Sequence, residues 1–273
     1  MCRSNKVLTN ALTCFLCKTL ASATLFSALC CTATLAQAAI MYGDFSDTPP
    51  GAVMYLDVTE SSFSKPVPPP LYGPPSITGN VLDFDPTGFG VSSSGGASGL
   101  IDGQLNYTIM ALPGAGLTGF SIVESGDFSF SGVNPSPGTF VSASAGATVS
   151  ILAVDSITLP NPIPVFASDI FVTDYPTTGG APSTGLLPWS LVTFVDLGAA
   201  IPFPFDFGAT KVEVAINNQL SSATTPGNQA AIAKKDFKLV PVGDLIPDNV
   251  PEPSSLALVC LIGLFSTARR RVG

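Results

Sequence analysis

Carboxylates are the reactive side chains that this sequence contains in quantity. Residues 39–250 hold 18 of them, 15 Asp and 3 Glu, while the whole chain has no histidine. Asp83 and Asp85 stand two positions apart, so on a strand their side chains would share one face. With Asp102 they could bind calcium, which takes about six to eight oxygen ligands. A calcium site at these three residues is one expectation, and turn capping by the same aspartates is the alternative.

The reactive residue types also limit which catalytic mechanisms are available. Without histidine there is no Ser-His-Asp triad and no imidazole metal site. Two carboxylates could hydrolyse a glycosidic bond, but this requires a defined separation that the sequence does not reveal. We therefore predict a protein that is not an enzyme, with no catalytic residue and with calcium as the one cofactor to consider.

A glycine motif tests whether the chain binds a nucleotide. Residues 114–119 read Gly-Ala-Gly-Leu-Thr-Gly, which satisfies the G-x-G-x-x-G pattern. A dinucleotide site needs a helix directly after these glycines, because the helix N-terminus binds the pyrophosphate. The following residues, Phe120 to Val123, have the composition of a strand. We interpret the motif as a glycine-rich turn.

Aromatic residues bear on carbohydrate binding, because exposed Trp and Tyr rings commonly stack on sugars. The chain has one tryptophan, Trp189, and five tyrosines, whereas phenylalanine occurs 18 times. Trp189 is the candidate glycan contact. Phe203, Phe205 and Phe207 alternate with other residues and are expected in the core.

Charge excludes one class of partner. Residues 39–250 carry five lysines and no arginine against their 18 carboxylates, a formal net charge of −13. Nucleic acid is therefore not expected as a partner, because phosphate binding requires a basic surface. The segment from Lys234 to Phe237 leads into a final strand and is expected to be a solvated edge.

Hydrophobic periodicity predicts the elements that must position these residues. Leu105, Tyr107 and Ile109 alternate with polar residues, as do Val212, Val214 and Ile216. Similar short runs recur between clusters of Gly, Pro, Asn and Ser. About ten strands without a helical stripe predict an all-β domain, a β-sandwich or jelly roll. Alternating prolines at 160, 162 and 164 indicate an edge strand or a connection.

The N-terminal residues predict a cleaved export signal. Arg3 and Lys6 precede an uncharged stretch that ends in the small-x-small triplet of Ala36 and Ala38. We expect export through the Sec translocon and cleavage after Ala38 by signal peptidase. The six cysteines all lie outside residues 39–250, so no disulfide framework is expected in the exported body.

The C-terminal residues predict a membrane segment. Pro251, Glu252 and Pro253 precede an uncharged run from 254 to 268, which ends in Arg269, Arg270 and Arg271. Fifteen residues make roughly 22 Å of helix, short of the ~30 Å hydrocarbon core. Arginines that reach the headgroups can complete such a span and favour a cytoplasmic position for that end.

The Pro-Glu-Pro triplet, short apolar helix and arginine cluster resemble the PEP-CTERM sorting signal of Gram-negative bacteria. The resemblance implies recognition by an exosortase-type protease and occurrence in bacteria that make extracellular polysaccharide. It covers residues 251–273, together with the signal peptide.

These expectations define four parts: a signal peptide at 1–38, an exported β-sandwich at 39–244, a spacer at 245–250 and a sorting and anchor segment at 251–273. The expected protein is a non-catalytic component of the cell surface or extracellular matrix. It is held at the inner membrane by its C-terminal helix, transiently or stably. A module that binds glycan or calcium in the polysaccharide matrix is the alternative, and a hydrolase is a more distant one.

Overall fold

The computed structural model describes residues 39–47, 52–64, 70–133, 135–176 and 185–245. The predicted signal peptide at 1–38 and the sorting segment at 251–273 lie outside these residues, as does the spacer after Leu245. Among the described residues there is no helix with the length and hydropathy that a membrane span requires.

Twelve strands account for most of the described residues. They are β1 (Ile40–Ser46), β2 (Val53–Ser61), β3 (Ser76–Thr78), β4 (Val81–Phe84), β5 (Gly90–Ser94), β6 (Ser98–Ala111), β7 (Gly116–Gly132), β8 (Phe140–Val154), β9 (Ile157–Asp174), β10 (Leu187–Asp196), β11 (Ala209–Ala223) and β12 (Asn228–Asp244). The predicted all-β class is confirmed.

The strands form two antiparallel layers around one core. The first layer has the order β1-β2-β6-β11-β8-β9, and the second has the order β10-β7-β12-β4-β3, with β5 also paired to β12. One pairing, between Ala209 of β11 and Leu117 of β7, links the layers, so the sheet is nearly closed. This arrangement is the predicted β-sandwich.

Period-two alternation determines which side chains fill the core. Leu105, Tyr107 and Ile109 of β6 are buried, as the sequence pattern predicts, and their neighbours along the strand are more exposed. Val212, Val214 and Ile216 of β11 are likewise buried, and they lie beside β6 in the same layer. The inward faces of the two layers therefore make one large hydrophobic cluster, beside a small one of Ala52, Ala111 and Ala115.

The glycine motif at 114–119 has the predicted strand after it. β7 begins at Gly116, and no helix follows the glycines. A Cβ on Gly116 would lie 2.2 Å from the carbonyl oxygen of Phe207, so this position requires glycine for close backbone packing. The motif has no geometry for a dinucleotide.

The prolines at 160, 162 and 164 lie on β9, which pairs only with β8 among the described strands. The prediction of an edge strand is confirmed. Proline lacks an N–H donor, so it is tolerated where one side of a strand has no partner.

The phenylalanines at 203, 205 and 207 are not buried in the core as expected. They lie in the loop between β10 and β11, where Phe203 is 42% exposed and Phe205 packs against the core from its edge. Pro202 and Pro204 remove two backbone donors, which disfavours strand pairing of this segment. Instead, Asp155 accepts hydrogen bonds from the backbone N–H groups of 206, 207 and 208.

Candidate functional site

An open groove crosses the outer face of β6, β11, β8 and β9. Its volume is about 710 Å³. Strand register aligns Asp102, Gln219, Ser144 and Ile170 in one row across these four strands. At ~4.8 Å between strands, the row spans about 14 Å.

A second row lies beside the first, with Asn217, Gly146 and Ser168 on adjacent strands. A Cβ on Gly146 would find only the carbonyl oxygen of Asn217 within 4 Å, at 3.9 Å, so the floor of the groove is open at this position. The two rows together present carboxylate, amide and hydroxyl groups. Such groups can donate and accept several hydrogen bonds at once.

Apolar side chains lie at both ends of the polar rows. Ile170 is exposed on the edge strand β9, and Leu100 and Phe63 border the opposite end. Phe63 is 87% exposed, although a ring of this size is usually buried. An exposed ring beside a polar groove is the kind of surface that packs against a partly apolar ligand.

Asp102 holds Phe63 at the groove. Its two carboxylate oxygens accept hydrogen bonds from the backbone N–H groups of Phe63, at 2.8 Å, and Ser64, at 2.6 Å. The Asp102 N–H donates in return to the Ser64 hydroxyl at 3.0 Å. Asp102 is therefore a capping residue for this turn, the role that was the alternative to calcium binding.

The predicted calcium ligands are only partly brought together. Asp83 and Asp85 lie close to Asp236, with one carboxylate oxygen from each within 4.8 Å of the others, and Asp102 is not in this group. The ammonium of Lys238 lies 3.0 Å from Asp236 and 3.5 Å from Asp83. Lys238 offsets one of the three negative charges and contacts two of the carboxylates, and three carboxylates supply only part of the oxygen ligands that calcium takes.

The pKa values of this surface group follow from the same contacts. Partial burial raises the pKa of Asp83 against the opposing effect of Lys238. The hydrogen bond to Asp236 raises the pKa of Lys238. The group is a surface ion pair between β4 and β12.

Trp189 is not an exposed sugar platform, so the structure corrects this prediction. The side chain is 3% exposed, its Nε1 donates to the carbonyl of Ala233 at 3.0 Å, and its ring stacks on Phe171. Trp189 lies in phase with Leu191 and Val195 on β10, so it faces the core with them.

A buried polar group that the sequence analysis missed lies between the layers. Lys234 of β12 and Glu124 of β7 form an ion pair at 2.7 Å with both side chains fully buried. The expectation that Lys234 belongs to a solvated edge is therefore wrong, because β12 lies between β7 and β4 and Lys234 points inward. The alternation of Ala230, Ile232 and Lys234 was the signal that could have indicated this position.

Two further side chains complete this buried group, which we call the Lys234 cluster: Lys234, Glu124, Asn218 and Tyr72. Asn218 of β11 donates from Nδ2 to the Tyr72 hydroxyl at 2.7 Å. Burial raises the pKa of Glu124 and lowers that of Lys234, while their mutual attraction opposes both shifts.

Comparisons with solved structures give only distant resemblances. One is TmCBM61 in complex with beta-1,4-galactotriose, with 9% identity over 73% of this chain and 88% of that chain and a TM-score of 0.18. Another is a family 11 carbohydrate-binding module from Clostridium thermocellum, with 11% identity over 74% and 95% of the two chains and a TM-score of 0.17. At these TM-scores the resemblances support no inference about function.

Comparison with sequences identifies the tail. No curated protein sequence matches the chain significantly. The family model of the PEP-CTERM protein-sorting motif matches residues 249–272, which include the Pro-Glu-Pro triplet and the arginine cluster. This motif implies an exported protein that an exosortase processes and that is sorted to the cell envelope. The chain thus carries a PEP-CTERM sorting motif in its C-terminal residues.

Proposed function

We propose that this chain is a non-catalytic protein of the cell surface or extracellular matrix, and that its β-sandwich binds extracellular polysaccharide through the outer groove. The observation that carries the proposal is the pair of polar rows across β6, β11, β8 and β9, with an exposed aromatic ring at one end. The sorting motif supports the location, since it directs proteins to the envelope.

The route to that location extends the same proposal. The segment 1–38 acts as a signal peptide that uses the Sec translocon and is cleaved after Ala38. Residues 251–273 then hold the protein at the inner membrane until an exosortase-type protease acts on the tail. The domain 39–244 remains outside the cytoplasm, separated from the membrane by the spacer 245–250.

The chemistry of the groove suits an oligosaccharide. Sugar hydroxyls both donate and accept hydrogen bonds, and Asn217, Gln219 and Ser144 offer both functions on one surface. The apolar faces of sugar rings pack on exposed apolar side chains, for which Phe63 and Ile170 are available. An open groove also accepts a chain that continues past both ends of the site.

Hydrolysis is disfavoured by how the two groove carboxylates are used. Asp102 accepts two backbone hydrogen bonds, and Asp169 accepts one from the N–H of Ile170 at 2.8 Å. Both oxygens of Asp102 are occupied by the backbone of the turn that carries Phe63, so this carboxylate has a structural use. We therefore assign these carboxylates to positioning and hydrogen bonding.

Affinity electrophoresis in gels containing the host's extracellular polysaccharide tests the proposal. The wild-type chain should be retarded, and Phe63→Ala or the double change Asn217→Ala and Gln219→Ala should weaken binding about tenfold or more, equivalent to ~1.4 kcal/mol. Phe203→Ala is the matched control, since Phe203 is also exposed but lies in another loop.

Two outcomes would contradict this function. Equal mobility of wild-type and groove variants would show that the groove is not the binding surface. Release of reducing sugar from the polysaccharide, lost in Asp102→Asn or Asp169→Asn, would replace binding by hydrolysis.

A further inference from the structure

Asn218, Glu124 and Lys234 bring together a carboxamide, a carboxylate and an amine from three strands. They belong to β11, β7 and β12, and each side chain is at most 1% exposed. Glu124 lies at the centre of this group. Its Oε2 is 2.7 Å from Lys234 Nζ. Burial raises the pKa of the Glu124 carboxyl, and the opposing effects come first from Lys234 and then from Asn218.

We propose that Lys234 Nζ forms an intramolecular amide bond with Cγ of Asn218, and that Glu124 transfers the protons. The carboxylate of Glu124 contacts the nitrogen that would attack. The Asn218 side chain, whose nitrogen would leave, is close enough to the same carboxyl to lower its pKa. This is the placement that a single general acid and base requires.

The surroundings favour the reactive protonation state. Aromatic rings surround Lys234 Nζ, with the ring centroids of Phe89 at 4.7 Å, Phe237 at 5.2 Å and Tyr72 at 5.6 Å. Burial lowers the pKa of Lys234 and raises that of Glu124, and both directions favour transfer of a proton from the amine to the carboxylate. A neutral amine is the nucleophile that attack on a carboxamide needs.

The Asn218 side chain is held in place for this reaction. Its Nδ2 donates to the Tyr72 hydroxyl at 2.7 Å, and the backbone N–H of Tyr72 donates to buried Glu60. Its Oδ1 is buried with no hydrogen-bond partner among the described residues. The acid form of Glu124 would supply the missing donor to this oxygen as negative charge develops on it.

The reaction balances without an oxidant or a co-reactant. The ammonium of Lys234 first gives one proton to Glu124. The Nζ lone pair then forms a bond to Cγ, and Glu124 takes a second proton from Nζ as it gives one to Nδ2. The Cγ–Nδ2 bond breaks with its electron pair on nitrogen, so ammonia leaves. The product is an amide between residues 218 and 234, and Glu124 ends protonated.

Such a bond would join the two layers covalently, because β11 belongs to the first and β12 to the second. Exported proteins commonly use disulfides for this purpose, but residues 39–250 contain no cysteine. An amide is insensitive to redox conditions, so it would cross-link the two layers outside the cytoplasm without any cysteine.

Mass spectrometry of the purified full chain tests the bond. The intact mass should be lower by one ammonia molecule than the mass of the same processed sequence. Trypsin should fail to cut after Lys234, so the peptide 212–235 should appear as one internally linked species that lacks one ammonia. Fragmentation should give no cleavage products between 218 and 234.

Substitutions of the three reacting residues, compared with substitutions of their sequence neighbours, distinguish the amide bond from other reactions that release ammonia. Lys234→Met, Asn218→Ala and Glu124→Gln should each restore the full mass, whereas Lys235→Met and Asn217→Ala should retain the loss. A wild-type chain with full mass and normal cleavage after Lys234 would overturn the proposal. Loss of ammonia that persists in Lys234→Met would also overturn it, since it would indicate cyclisation of an asparagine with its own backbone.

Discussion

Glu124 and Lys234 form an ion pair at 2.7 Å in the interior of the sandwich, although 110 positions separate them in the chain. A β-bulge of β12 makes the contact possible. Lys234 pairs with Gly126 of β7 and Asp236 with Ser125, so Lys235 is the extra residue. The bulge allows both Lys234 and Phe237 to face the core, while Lys235 is exposed.

Removal of one partner of this pair should destabilise the domain strongly. We expect Glu124→Gln or Lys234→Met to lower the free energy of unfolding by about 3 to 5 kcal/mol. The first leaves the Lys234 ammonium buried without its counter-charge, and the second does the same to the Glu124 carboxylate. Denaturant titration followed by Trp189 fluorescence measures the change. Lys235→Met changes the exposed neighbour, so its free energy of unfolding should stay within about 0.5 kcal/mol of the wild type. A loss as large as that of Lys234→Met would show that the buried pair is not what stabilises the domain.

Two buried tyrosines should respond in opposite directions to loss of their hydroxyls. The Tyr107 hydroxyl has no hydrogen-bond partner among the described residues, whereas the Tyr72 hydroxyl accepts from Asn218. We expect Tyr107→Phe to raise the unfolding free energy by roughly 1 kcal/mol and Tyr72→Phe to lower it by a similar amount. Thermal unfolding of the two variants measures both. Destabilisation by Tyr107→Phe would mean that its hydroxyl has a bound partner.

Alkaline pH should weaken the fold through its tyrosines. Burial raises the pKa of Tyr42, Tyr55, Tyr72 and Tyr107 above the ordinary value of 10.0. The folded state therefore keeps these protons where the unfolded chain loses them. Their contribution to stability is complete below pH 10 and falls as pH rises further. Lys234, whose pKa is lowered, acts in the opposite direction but is a single group.

The measurement is the unfolding free energy between pH 9 and pH 12. Tyr55→Phe or Tyr107→Phe should reduce the downward slope by about 1.4 kcal/mol per pH unit well above pH 10. Each substitution lowers by one the number of protons that the folded state holds and the unfolded state has lost. A slope equal to that of the wild type would show that the tyrosine ionises equally in both states.

Replacement of Pro251, Glu252 and Pro253 by alanines should stop processing of the tail. The wild type should leave the inner membrane with a mass that lacks residues 1–38 and the sorting segment, because in the proposed route an exosortase-type protease acts on the tail that matches the sorting motif. The variant should remain in the membrane fraction at a higher mass. Intact mass and fractionation in the native host measure both, with Pro162→Ala as the control. Retention of both proteins with intact tails would indicate a permanent anchor.

Features that depend on near neighbours in the chain could be predicted from the residues alone. Alternation at Leu105, Tyr107 and Ile109 predicted an inward-facing strand, and that strand is β6. The prolines at 160–164 predicted an edge, and β9 is one. The sorting motif is a contiguous signal, which is why the residues alone identified it. Each of these signals depends on near neighbours in the chain, so no tertiary contact was needed to read it.

The tertiary structure shows which strand faces point into the core and which strands pair. Period two gives two faces to every strand, but only packing showed that Trp189 and Lys234 point inward. The groove depends on register, which aligns Asp102 with Gln219 and Gln219 with Ser144 across three strands distant in sequence. Lys234 gained a counter-charge only because β7 and β12 are neighbours. Strand pairing is a long-range choice set by the whole core, and local sequence does not encode it.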